Sequence, residues 1–145
     1  MTIQEKQDEI IDDFSVFSDW MDKYEYIVQL GKELPLIDEQ YKTDDHLIRG
    51  CQSRVWLHAA YEGGLVRFTA DSDAIITKGL ISMVIRVLSD HTPREIMDAE
   101  IYFVDAIGLT SHLSPTRSNG LLSMLKQIKA YALALHVQEN SGAAT

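Results

Sequence analysis

Two runs of alternating residues joined by a glycine pair constrain the fold of this chain most. In residues 54–61, Val55, Leu57 and Ala59 fall on one side of an extended backbone, and Trp56, His58 and Ala60 on the other. In residues 65–70, Leu65, Arg67 and Thr69 alternate with Val66, Phe68 and Ala70. Between the runs, Glu62-Gly63-Gly64 suits a tight hairpin connection. Asp71-Ser72-Asp73 then supplies candidate caps for a helix. In it Ile75, Ile76, Gly79, Leu80, Met83, Val84, Val87 and Leu88 keep helical spacing for more than three turns. So rich an apolar surface is expected to lie across the sheet. Gly79 inside it costs roughly 1 kcal/mol of helix stability against Ala, which points to close packing there.

Helices are expected on either side of this unit. Thr2 with Glu5 fits a capping box ahead of Ile3, Ile10, Ile11 and Phe14. Ser18-Asp19 can cap a second helix in which Trp20, Tyr24, Ile27 and Val28 share a face and Gly31 lies near the end. Leu34-Pro35-Leu36 breaks regular structure, and residues 38–45 read as a short helix or loop. Thr92-Pro93-Arg94-Glu95 opens another helix, with Pro93 in the favoured first position. Residues 101–109 suit a third strand or a short helix by apolar density, and the helix is preferred. Leu113-Ser114-Pro115 reads as a turn, followed by a helix over 118–135. Residues 1–137 form one domain in this reading, and the polar stretch 138–145 is expected to be a disordered tail.

At 145 residues the chain can bury a real core, and its 46% apolar and 24% charged residues are ordinary for a globular protein. No apolar run approaches the ~20 residues of a membrane span. The N-terminus is polar and acidic, unlike a secretory signal. One cysteine cannot make an internal disulfide, so a cytoplasmic location is expected. The net charge of -9 lies wholly in residues 1–45, which hold 13 acidic and 4 basic side chains. That balance argues against nucleic-acid binding; it suits a solvated helical surface or the steering of a basic partner.

The candidate chemistry centres on the single cysteine. Cys51 stands in Arg49-Gly50-Cys51-Gln52-Ser53-Arg54, a glycine-led turn at the mouth of the first strand. Loops carried by rigid elements commonly hold reactive groups. Arg49 and Arg54 bracket the thiol, and a nearby cation favours the thiolate, the nucleophilic form. The other reading is a small buried hydrophobe, the usual state of a lone cysteine, although such a residue belongs inside an apolar run. Metal binding is poorly supported: His46, His58, His91, His112 and His136 form no ligand motif, and there is no second cysteine. A Cys-His hydrolase or transferase would need a histidine brought to Cys51 in space, with His46, His58 and His112 the candidates. No phosphate-cradling glycine loop is visible. Arg117, between Ser114-Pro115-Thr116 and Ser118-Asn119-Gly120, is a solvated arginine by position alone.

The whole series of segments nevertheless resembles the SufE family of sulfur acceptors, partners of a cysteine desulfurase in iron–sulfur cluster assembly. The resemblance rests on Asp19-Trp-Met-Asp-Lys-Tyr-Glu-Tyr-Ile27, Leu30-Gly-Lys-Glu-Leu-Pro35, Gly50-Cys-Gln-Ser53 and Val55-Trp-Leu57. It continues through Asp71-Ser-Asp-Ala-Ile75, Lys78-Gly-Leu80, Thr92-Pro93 and Leu113-Ser-Pro-Thr-Arg-Ser-Asn-Gly-Leu121. It implies an α+β, IscU-like single domain with a small antiparallel sheet packed against several helices. It implies that Cys51 takes persulfide sulfur from a pyridoxal-phosphate-dependent desulfurase, stimulates that enzyme, and delivers sulfur to a SufB-containing scaffold complex. In that role the chain is a carrier and not an enzyme, and needs no cofactor, nucleic acid or membrane. Arg117 is implied near the cysteine loop or partner surface, and Gly50, Gln52, Ser53 and Asp73 as shapers of the loop. Arg49 and Arg54 as thiolate stabilisers follow from charge, not from the resemblance. An IscU-like cluster scaffold is the remaining alternative, with one thiol too few ligands for a cluster.

Overall fold

A computed structural model describes residues 1–51 and 53–143. The fold is α+β: among the described residues, seven helices surround one two-stranded antiparallel sheet. Strand β1 (Val55–Glu62) pairs with β2 (Leu65–Ser72) from Val55 opposite Ser72 to Glu62 opposite Leu65. Gly63 and Gly64 close the hairpin with φ of 60° and 80°, left-handed values that disfavour residues bearing a Cβ. The alternation does what it promised: Val55, Leu57, Val66, Phe68 and Ala70 are all buried on one face. Full burial of a side chain such as Leu57 or Phe68 contributes about 1.5–3 kcal/mol.

There is no third strand among the described residues; the sheet's edges instead carry single bridges. Leu47 pairs with Trp56 on the β1 side, and Leu36 with Ala70 and His91 with Val66 on the β2 side. Residues 101–109 contribute helix, as preferred, in α5 (Phe103–Ala106) and the start of α6 (Leu109–His112).

Helix α3 (Ile75–Leu88) runs against β2 and is itself covered by α2 (Trp20–Gly31), which explains why it is buried on nearly every side. The close packing expected at Gly79 is found: its backbone nitrogen would lie 3.0 Å from a Cβ on Gly31. The caps of α3 differ from expectation. Its N-cap is Ala74, and only Ser72 acts locally, its Oγ accepting from the Ala74 amide at 3.2 Å. Asp71 instead pairs with Lys42 at 2.8 Å and Lys78 at 3.2 Å. Asp73 reaches back across the chain to Arg54. Asp71 thus meets charged donors stronger than a helix-end amide, and Asp73 a backbone amide distant in sequence.

The Thr2–Glu5 capping box opens α1 (Ile3–Phe14), and a second box, Thr92–Glu95, opens α4 (Pro93–Asp98). Arg86 of α3 binds Glu9 and Asp13 of α1, so part of the acidic excess holds two helices together. Helix α7 starts earlier than expected, at Pro115: Ser114 Oγ accepts from the Arg117 amide at 3.3 Å, and Pro115 takes the first helical position. This is the arrangement Thr92-Pro93 adopts in α4, and it overrides the turn reading of Ser114-Pro115. The helix is continuous through Ala143, into the stretch 138–145 expected as a tail; Ala144 and Thr145 lie outside the described residues.

Candidate functional site

The cysteine loop is an excursion between two paired backbones. The Ile48 amide donates to the Val55 carbonyl at 2.9 Å, and Arg49, Gly50, Cys51, Ser53 and Arg54 lie beyond that neck. Gly50 turns the chain with φ of 91°, where any side chain is strained. On one side the loop is clamped by Asp73: its Oδ1 accepts from the Arg54 amide at 3.0 Å, and its amide donates to the Arg54 carbonyl at 3.3 Å. On the other side it lies on the first turns of α7.

Contact with α7 is close because both surfaces lack bulk. A Cβ on Gly50 would stand 2.5 Å from Ser123 Oγ, and one on Gly120 would stand 3.5 Å from Cys51 Sγ. The thiol donates to the Gly120 carbonyl oxygen at 3.6 Å. Cys51 is thus half-buried, facing a cavity of about 90 Å³. Ser53, Thr77, Leu80, Met124 and Arg117 are among the residues that line it. One water needs roughly 10–15 Å³ of such space, so the cavity has room for an added sulfur atom.

Burial pushes the Cys51 thiol up from its ordinary value. Burial acts in the direction opposite to the downward shift expected from Arg49 and Arg54. Both side chains are exposed. Arg49 lines a separate polar groove with Asp44, Asp45, His46 and Tyr131, and Arg54 is held by its backbone.

Of the other expected site residues, Ser53 and Arg117 line the cavity, Gly50 shapes the turn, and Asp73 clamps the loop from outside. Gln52 lies outside the described residues. Among the described residues, no histidine lines the cavity. His46 and His58 cluster with Tyr41, whose ring stacks on His58 at 3.8 Å, and His112 stacks on Trp20 at 4.2 Å. Sequence reasoning missed Ser123, Thr77 and the contact of Gly120 with the thiol. The available signal was the small pair Gly120 and Ser123, three apart on one helix face.

The sequence fits the SufE family, described as an Fe-S metabolism associated domain, over residues 8–132. The chain belongs to the SufE family. An uncharacterized SufE-like protein of Rhizobium meliloti (strain 1021) is 43% identical over 131 residues, spanning 86% of this chain and 93% of the relative. Another, from Rhizobium etli, is 40% identical over 130 residues, spanning 86% and 88%. The solution structure of a hypothetical protein from Thermus thermophilus superposes with a TM-score of 0.74 at 19% identity, over 89% of this chain and 94% of that one. That likeness concerns the fold. SufE membership places the protein in iron–sulfur metabolism. Among the described residues, no helix is long and apolar enough to cross a membrane.

Proposed function

We propose that the protein is a sulfur carrier which takes sulfur onto Cys51 from a cysteine desulfurase, stimulates that enzyme, and passes the sulfur to a SufB-containing scaffold complex. The observation that carries this reading is the position of Cys51: half-buried in a narrow-necked loop, where the residue lines a small cavity. A thiol sealed in the core could not meet another protein's sulfur, and a fully exposed persulfide would be lost to stray thiols.

The transfer is an exchange at sulfur. The Cys51 thiolate attacks the outer sulfur of the desulfurase persulfide, and a new S–S bond forms as the old one breaks. The electron pair of the broken bond leaves with the donor's cysteine as thiolate, so no outside oxidant or reductant is needed. A second exchange in the same sense passes the outer sulfur onward. Burial raises the Cys51 pKa, which lowers the supply of thiolate until docking moves the loop outward. Arg117 at the cavity rim, with Gly50, Gln52, Ser53 and Asp73 as loop shapers, belongs to this reading as the surface the partner meets. The pyridoxal phosphate chemistry is the partner's, and the cytoplasm is where a reduced single thiol is expected to work.

A Cys-His hydrolase is disfavoured because Cys51 hydrogen-bonds a carbonyl and its cavity is lined without a histidine. An IscU-like scaffold is disfavoured by the single cysteine. The test is intact mass after incubation with a desulfurase and cysteine. The expected result is a thiol-reducible gain of one sulfur, absent from Cys51→Ser. A protein that gains no sulfur, or gains it equally in Cys51→Ser, would refute the carrier role.

A further inference from the structure

We infer that Gly120 and Ser123 are positioning residues, forming a seat on α7 that keeps the Cys51 loop closed while the protein is alone, with their small size setting how deep the sulfur lies. Three independent contacts support this. The thiol donates to the Gly120 carbonyl at 3.6 Å. A Cβ on Gly120 would just touch Cys51, at 3.5, 3.6 and 3.8 Å from its Sγ, Cα and Cβ, so a side chain extending further in that direction would meet the loop. The Gly50 backbone rests on Ser123, so tightly that a Cβ there would stand 2.5 Å from Ser123 Oγ. Gly50 at positive φ and the pair on α7 are therefore complementary halves of one contact.

The seat also discriminates between protonation states. A carbonyl oxygen is an acceptor, so it holds the S–H form and repels the thiolate. Losing the proton removes the hydrogen bond and leaves a buried charge facing the negative end of a dipole. Closure and protonation are thus linked: whatever lifts the loop off the seat favours ionisation, and ionisation favours lifting. The charged groups near the thiol are few. Arg117 of α7 lines the cavity, Arg49 and Arg54 flank the loop with exposed side chains, and Asp73 binds the Arg54 backbone. None of these is hydrogen-bonded to Sγ, whose partner is the Gly120 carbonyl.

The consequence for sulfur transfer rests on the carrier reading; the seat itself does not. Gly120→Leu and Ser123→Leu each fill the contact and should hold the loop open. The readout is the rate of Cys51 alkylation by iodoacetamide at pH 7 with no partner present, on variants shown by circular dichroism to be folded. The expected rise is about tenfold, the gain in thiolate that a one-unit fall in thiol pKa brings. The pH profile of alkylation should shift to lower pH in the same variants, whereas Gln7→Leu, destabilised away from the loop, should keep the unmodified profile. Folded variants that alkylate at the unmodified rate would overturn the seat. Should both fail to fold, the unmodified protein decides: the seat requires its Cys51 to react more slowly than a peptide of residues 46–56, and equal rates overturn it. Faster alkylation in the variants, with no preparation gaining sulfur from a desulfurase and cysteine, would uphold the seat and refute the carrier.

Discussion

Gly79 of α3 lies so close to Ile27 of α2 that a Cβ there would stand 2.8 Å from the Ile27 carbonyl carbon and 2.5 Å from its Cγ2. The two helices cross at this point because one of them carries no side chain, and the crossing fixes α3 against the sheet. Gly79→Ala sets two effects against each other. Helix propensity favours Ala by about 1 kcal/mol, whereas overpacking against a backbone that cannot swing aside costs about 1–3 kcal/mol. The clash should win, with a net loss of stability in urea denaturation; a more stable variant would show that the helices can separate freely.

Gln7 is a buried amide that serves a distant segment. Its Nε2 donates to the Glu100 carbonyl at 3.0 Å, and its Oε1 accepts from the amides of Tyr102 and Phe103 at 2.8 and 3.2 Å. The side chain thus satisfies three backbone groups where the chain enters α5, and it is 1% exposed. Gln7→Leu keeps the volume and strands all three, at about 1–3 kcal/mol for each buried group left unpaired. Thermal unfolding should show a drop of at least about 2 kcal/mol, and an unchanged midpoint would contradict this assignment.

His91 should make stability depend on pH. It is 5% exposed, and its Nε2 has no partner among the described residues. Burial first, then the charges of Lys6 and the N-terminus, hold its pKa below the ordinary 6.5, while Glu95 pulls the other way. The folded protein therefore keeps His91 neutral at a pH where the unfolded chain already binds a proton. Stability from this group is present above about pH 6.5 and declines as pH falls below it. Denaturation of the unmodified protein and of His91→Gln between pH 8 and 5 isolates the contribution. The gap between the two should narrow on acidification; a gap that widens would give the shift the wrong sign.

Asp73 holds the Arg54 amide, and an amide in place of the carboxylate can still accept that hydrogen bond. Asp73→Asn should accordingly preserve protection of the Arg54 amide in hydrogen exchange. Asp73→Ala should speed that exchange by about tenfold, the equivalent of losing one hydrogen bond of roughly 1.4 kcal/mol. Equal protection in the Ala variant would mean that the neck at Ile48 and Val55 closes the loop unaided.

Local signals in the sequence are legible where short-range physics governs. The hairpin follows from period-two alternation and a glycine pair, and Thr2-Glu5 and Thr92-Pro93 mark the starts of their helices within a residue. The logic that fixes α4 at Thr92-Pro93 applies equally to Ser114-Pro115, which the turn reading passes over, so α7 begins three residues earlier than expected. Asp71-Ser72-Asp73 illustrates the converse. These residue types suit helix caps, yet Asp71 and Asp73 are engaged by Lys42, Lys78 and Arg54, partners that a linear reading does not bring near.

The sequence by itself determined the family, the hairpin, the central helix and the place of Cys51 at the mouth of β1, because each depends on residues within a few positions of one another or on a pattern kept in order along the chain. Tertiary structure alone decided the state of the sulfur. Cys51 is 69 residues from Gly120, whose carbonyl accepts its hydrogen bond, while the adjacent arginines, the sequence's candidates for tuning it, have exposed side chains. A thiol's ionisation answers to burial and to whatever dipole faces it, and both are supplied by chain brought close only by folding.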